Sequence, residues 1–416
     1  MMPNLGWHRI LSVLTIRNKT ILMSQPDYYQ LLDKLIVNQP LNIWKNKIRF
    51  TILHEMSLYL NKDFIEARFH MFDHLIYGQH EDKIRWMKII EEIDKYLGEL
   101  LGELFISRYF SFQSKERTNN LAKNLINVYH DRINHINWIS NSTKEKALKK
   151  LQTINIKIGY PTKWKSYNDI YINRSSYFNS ISNILQHNYR KKMKDLRKLV
   201  DRDEWLIPPQ TVNAFYYPSF NEMIFPAAIL QEPFFSFDAD DALNYGAIGY
   251  VIGHELTHCF DDQGRKYDEN GNLHLWWTPD DINAFDSHTE KLIKQYENYK
   301  ILNRHINGRL TLGENIADLG GLDIAYQAFL RTKQAKDGIL IDDLTPQQRF
   351  FLAFAKVWRV KTTNEKFLSD LKQETHAPAI IRINGPLSNM IEFYHTFNIT
   401  KNDAMFRESE DRIVIW

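Results

Sequence analysis

Cysteine is nearly missing from this chain. The single one among 416 residues, Cys259, excludes an intramolecular disulfide framework. It suits a reducing compartment, and a cytoplasmic location is expected. Long apolar runs are missing as well. No stretch approaches the roughly 20 apolar residues that cross a bilayer, so no membrane span is expected. The short apolar run at residues 10–16 follows His8-Arg9, is broken by Arg17 and Lys19, and lacks a small-x-small cleavage site. It does not read as a secretion signal. Nor does one sign of charge dominate: 53 Lys and Arg against 50 Asp and Glu leave a formal net charge of +3. No basic cluster is interleaved with aromatics, which excludes a nucleic-acid partner. Runs such as Tyr189-Arg190-Lys191-Lys192 read as solvated helix face. What remains is a soluble chain, 44% hydrophobic and 25% charged, long enough for two domains with their own cores.

Residues 25–154 carry helical periodicity almost throughout. Pro26 fits a first helical position and opens a segment bearing Tyr29, Leu32 and Leu35. After Pro40, the residues Trp44, Ile48, Ile52 and Met56 recur at spacing four, and a further helix is expected over residues 81–109. Ser142-Thr143-Lys144-Glu145 resembles a capping box at the start of a short helix. The pattern breaks at Ile158-Gly159-Tyr160-Pro161, a polar loop runs to about residue 175, and one more amphipathic helix reaches about residue 200. Residues 211–216 and 222–225 then read as two strands, followed by helices to the C-terminus. The expected class is mainly α with a small β-sheet. Its divisions are residues 1–22 unassigned, 23–175 a helical domain, and 176–416 a catalytic domain.

The chemistry is concentrated in Gly253-His254-Glu255-Leu256-Thr257-His258, inside an apolar run without proline from residue 242 to residue 260. Residues four apart on a helix share a face, so His254 and His258 can offer two imidazole nitrogens to one tetrahedral zinc ion. Glu255 can reach a water on that ion. Two imidazoles and a carboxylate would be costly to bury in an apolar helix without partners, which disfavours a coincidental pair of histidines. Cys259 points about 100° away from His258 on a helix and reads as a small packed residue. Downstream, Gly313-Glu314-Asn315-Ile316-Ala317-Asp318 sets two acids four apart among buried neighbours. Glu314 can be the third ligand, and Asp318 can accept the other N–H of a ligand histidine. Gly320-Gly321 would let a second helix approach closely.

With these motifs in hand, the chain resembles the neprilysin-type zinc metallopeptidases, the family of neprilysin, endothelin-converting enzyme and bacterial oligopeptidase O. The resemblance rests on Val212-Asn213-Ala214-Phe215-Tyr216, Ile224-Phe225-Pro226-Ala227, the histidine motif, and Phe260-Asp261-Asp262-Gln263-Gly264-Arg265. It continues through residues 312–318, His376-Ala377-Pro378, residues 382–387 and the terminal Ile415-Trp416. It implies a thermolysin-like (gluzincin) catalytic domain beside a partial helical domain, acting on oligopeptides with one zinc ion. It implies His254, His258 and Glu314 as metal ligands, Glu255 as general base and Asp318 as the acid that orients a ligand histidine. His376 would stabilise the oxyanion, and Arg382 would hold a substrate carbonyl. Asn213 and the backbone of Ala214 would bind the substrate main chain. Ile229, Phe234, Val251 and Trp358 would line the apolar pocket for the residue after the scissile bond.

The chain departs from the family in length. It corresponds to roughly the C-terminal two thirds, from about Met23 onward, and lacks much of the helical domain. A companion polypeptide supplying the N-terminal portion is therefore a possible partner. The alternative expectation is a peptide-binding protein inactive by itself. Against it stands the intact set of catalytic residues, since a binding protein would be free to lose Glu255.

Overall fold

The structure, a computed structural model, describes residues 2–16 and 23–416. Arg17 and Lys19, invoked above, lie outside the described residues. Packing divides the chain into two compact units, each discontinuous in sequence. One joins Met1–Asp82 with Ser166–Asp201, and the other joins Lys83–Lys165 with Arg202–Trp416.

The first unit is helical. Its N-terminal turn Pro3–Leu5 is fixed by Asp33, which accepts hydrogen bonds from the Asn4 and Leu5 backbone and from the Asn4 side chain. Helices Pro26–Asn38, Leu41–Met56 and Lys62–Arg68 follow, and Tyr177–Asp195 completes the unit. Pro26 occupies the first turn as expected.

The second unit holds both the sheet and the motif helices. Helix Arg85–Tyr109 departs from helical geometry at Leu97, and Phe112–His135 and Asn141–Gln152 follow. The N-cap of Asn141–Gln152 is Ser140, whose side chain accepts from Thr143 N–H. The cap therefore sits two residues before the expected Ser142, with a single side-chain cap in place of the box. Ser140 wins because its hydroxyl also donates to the buried carboxylate of Asp281.

The sheet has three strands in the order β1–β3–β2: β1 Asn155–Gly159, β2 Phe215–Tyr217 and β3 Glu222–Pro226. β1 runs parallel to β3, and β2 runs antiparallel to it at one edge. Two corrections follow. Residues 155–159 form a strand where none was expected, between the helical pattern ending at residue 154 and the break at Ile158. The strand expected from Thr211 begins only at Phe215, because pairing with β3 extends over Phe215–Tyr217 alone. This β1–β3 ladder explains why packing does not cut the chain once near residue 175. Together with Tyr129 stacked on Phe260 and Lys150 donating to the carbonyls of Cys259, Gly264 and Tyr267, it joins residues 83–165 to the motif helix.

The motif lies in a continuous helical stretch of changing pitch. Asp241–Asn244 is α-helical, Tyr245–Gly249 is π-helical, Tyr250–Thr257 is α-helical, and His258–Phe260 closes as a 3-10 turn. Against it packs helix Leu312–Leu330. The two approach so closely that a Cβ on Gly321 would stand 2.4 Å from His254 N, and one on Gly253 would stand 2.5 Å from Gly321 O. That contact sets the distance between the His254–His258 pair and Glu314. Among the described residues no helix is long and apolar enough to cross a membrane.

Candidate metal centre

His254, His258 and Glu314 offer one ligand atom each within 4.8 Å of one another, and they are the one such group among the described residues. His254 Nε2 lies 3.0 Å from His258 Nε2, and Glu314 Oε2 lies 3.2 Å and 3.7 Å from those two nitrogens. Behind the rings stand carboxylates. His254 Nδ1 is 2.8 Å from Asp318 Oδ1, and His258 Nδ1 is 2.6 Å from Asp261 Oδ2. The tautomer that turns N–H toward a carboxylate leaves each Nε2 with its lone pair. Two such lone pairs aimed at each other and at a carboxylate repel unless a cation lies among them. Glu314 Oε2 is buried, with three ring nitrogens around it: His376 Nε2 at 3.1 Å, His254 Nε2 at 3.2 Å and His258 Nε2 at 3.7 Å. The donor set of two imidazoles and one carboxylate therefore fits a divalent transition metal, and three protein ligands leave a position open.

Among the protein groups alone, the charges are strongly coupled. Burial disfavours a charged His254, but Asp318 and Glu314 outweigh it and hold the ring's pKa at about 9. Burial likewise opposes the Glu314 carboxylate, yet hydrogen bonds from His254 and His376 keep it far below the usual carboxylate range. Glu255 differs: burial pushes its carboxyl up, and the neighbouring histidines only partly offset this. It is buried but borders the same cavity as the three ligands.

That cavity, about 590 Å³, brings together every residue singled out from the sequence except Asp318. Asn213 and Ala214 line one wall, Ile229, Phe234, Val251 and Trp358 supply apolar surface, and Glu314, His376 and Arg382 stand by the histidines. Asp318 lies directly behind, fully buried. Arg382 grips it through Nε to Oδ2 at 2.8 Å and Nη2 to Oδ1 at 2.7 Å, and its guanidinium stacks 4.2 Å from the Trp358 ring centre. His376 Nε2 is 3.1 Å from Glu314 Oε2. At Asn213 the structure adds a detail: the Ala214 N–H donates to Asn213 Oδ1 at 2.9 Å, so that N–H is already engaged. Cys259 is fully buried, takes no part in the cluster, and burial pushes its thiol up to about 12.

Three residues with a part in this geometry were given no role from sequence. Asp261 backs His258 from three positions on. Glu374 sits 2.6 Å from His376 Nδ1. Tyr250, one turn before His254, donates to Asp318 at 2.6 Å. For Asp261 the i, i+3 spacing on a helix terminus was an available signal. For Glu374 and Tyr250 the partner is set by loop or tertiary geometry, which spacing does not reveal.

Comparison with known proteins matches this architecture. Two family models, both described as Peptidase family M13, cover residues 1–161 and 213–413. The first of these includes residues 1–22, so the family match begins ahead of Met23. An endothelin-converting enzyme homolog of Locusta migratoria is 34% identical over 97% of this chain and 58% of its own length. Endothelin-converting enzyme 1 of Mus musculus is 33% identical over 97% of this chain and 54% of its own length. The crystal structure of the Mycobacterium tuberculosis zinc metalloprotease ZMP1 with an inhibitor superposes with a TM-score of 0.90 at 37% identity, covering 95% of this chain and 61% of that one. PEPO from Lactobacillus rhamnosis superposes at 0.81 with 31% identity, over 95% of this chain and 59% of that one. The chain thus spans about half the length of the curated relatives it matches. By its family models, its relatives and its fold, the chain belongs to peptidase family M13.

Proposed function

We propose that this chain is a zinc-dependent metalloendopeptidase that hydrolyses oligopeptides on the amino side of hydrophobic residues. The observation that carries the reading is the convergence of two histidines on a buried Glu314 oxygen, in a cavity that Glu255 also borders. His254, His258 and Glu314 would hold one zinc ion per chain. Zinc held by three protein ligands lowers the pKa of a bound water to about 7 and polarises a carbonyl.

The chain's own groups do the rest. Glu255, its carboxyl raised by burial, takes a proton from water and returns it to the departing amine. Burial works against a charged His376, but Glu314 outweighs it and raises the ring's pKa, so His376 keeps a proton to donate toward a developing oxyanion. Arg382 commits two N–H groups to Asp318 and has the remainder of its fork for a substrate carbonyl. The edge position of β2 suits strand addition by an extended peptide. Beyond it, the Asn213 amide nitrogen and the Ala214 carbonyl are the groups left to bind. Ile229, Phe234, Val251 and Trp358 accept the apolar side chain that follows the scissile bond.

Cleavage of a quenched fluorescent peptide tests the reading. Chelation should abolish turnover, and Glu255→Gln should lower it about 10²–10⁴-fold while zinc stays bound. Full turnover by the zinc-loaded variant would remove Glu255 from the role of base.

A second reading concerns completeness. Helix Leu41–Met56 buries none of its residues, and Ile48, Phe50 and Ile52 are each 57% exposed. Apolar surface of this kind marks an interaction site. Its occupant would be the portion of the relatives that this sequence does not cover. A segment corresponding to that portion, added in trans, should then raise the rate of peptide turnover.

A further inference from the structure

Three groups converge on Asp318 Oδ1 within 2.8 Å. Tyr250 donates its hydroxyl to it at 2.6 Å, and Arg382 Nη2 donates to it at 2.7 Å. A carboxylate oxygen offers two lone pairs, and these two donors take both. His254 Nδ1 stands 2.8 Å from the same oxygen, buried, as a third group on it. Tyr250 has little freedom to turn elsewhere. It is 1% exposed, with its ring edge-on to Phe354 at 4.7 Å and close to Trp358 at 6.0 Å. The hydroxyl therefore competes with a ligand histidine for one acceptor.

We infer that Tyr250 is a positioning residue that acts through Asp318 to weaken the support given to His254, and so sets a limit on how firmly the metal is held. The inference rests on the zinc reading proposed above. An outer carboxylate that accepts from a ligand imidazole fixes its tautomer and raises its basicity. A second donor on the same oxygen withdraws part of that support. His254 is then a weaker electron donor than it would be with Asp318 Oδ1 to itself, whereas His258 Nδ1 faces Asp261 Oδ2 at 2.6 Å. The two histidines are chemically unequal although the motif presents them alike. A less electron-rich ligand set leaves a bound cation more able to polarise a carbonyl, at the expense of affinity.

Tyr250→Phe keeps the ring and removes only the hydroxyl. The measurement is the rate at which the zinc-loaded full chain gives up zinc to an excess of a chromogenic chelator. Release from Tyr250→Phe should be slower than from wild type by about tenfold, the lower end of the range known for outer-sphere partners of ligand histidines. In an Asp318→Asn background the same substitution should slow release no further, because the contested carboxylate is gone. A tyrosine that served only packing would loosen the site when altered, so unchanged or faster release from Tyr250→Phe overturns the inference. A wild-type chain that takes up no zinc overturns the metal-centre reading itself, and this inference with it. The two failures are thus told apart.

Discussion

Asp318, Asp261 and Glu374 stand behind His254, His258 and His376, and each decides what its histidine can do. The clearest consequence is pH dependence at His254. Its ring titrates near 9 among the protein groups alone, against an ordinary value of 6.5. A raised pKa in the fold stabilises the zinc-free chain fully below pH 6.5, and that contribution disappears as pH rises through 9. Zinc must displace the same proton, so its affinity should rise with pH over this window by up to tenfold per unit. Competition with a chelator at pH 6.5, 7.5 and 8.5 measures this, and an affinity independent of pH would contradict the proton assignment. At this scale the sequence was informative where a residue's role follows from spacing on one helix. The meeting of His254, His258 and Glu255 at one cavity was legible from the motif, and the nearness of Glu314 and Asp318 to them from the second acidic turn. Tyr250 was not, because its hydroxyl's partner is 68 residues away.

Two helices and one strand edge hold these residues at working distance. Gly253 and Gly321 allow the contact between Tyr250–Thr257 and Leu312–Leu330 that brings Glu314 to the histidines. Gly321→Ala would drive a methyl into His254 N, where a Cβ would stand at 2.4 Å. The expected cost is roughly 1–3 kcal/mol of stability, with loss of zinc affinity as the helices part. Urea unfolding and zinc titration of the variant check both, and a wild-type zinc affinity would show that the close approach is not what sets the site. The helices were readable from period and punctuation: Pro26–Asn38 begins at the proline that marked it, and Arg85–Tyr109 ends at the expected residue 109. Strand β1 was hidden for two physical reasons. Its partner β3 is more than 60 residues away, and its centre holds Lys157, a charge compensated by buried Glu222 at 2.8 Å. The π-helical turn Tyr245–Gly249 has no counterpart in apolar periodicity, so it too was invisible.

At the scale of the molecule, one compact unit contains the entire cavity. The sheet, the motif helix, Leu312–Leu330 and the loop bearing His376 all fall within Lys83–Lys165 and Arg202–Trp416. This unit is closed by its own core. Trp416 is 3% exposed, packs against Phe260, Trp277 and Phe285, and receives a hydrogen bond from Arg132 on its carbonyl. The metal centre therefore depends on residues that the chain supplies itself, whatever covers the exposed helices elsewhere. The most direct test of that claim is the zinc content of the purified full chain beside its Glu314→Gln variant after dialysis against a weak chelator. The account predicts one zinc per chain in the wild type and almost none in Glu314→Gln. Equal zinc content in the two would contradict it.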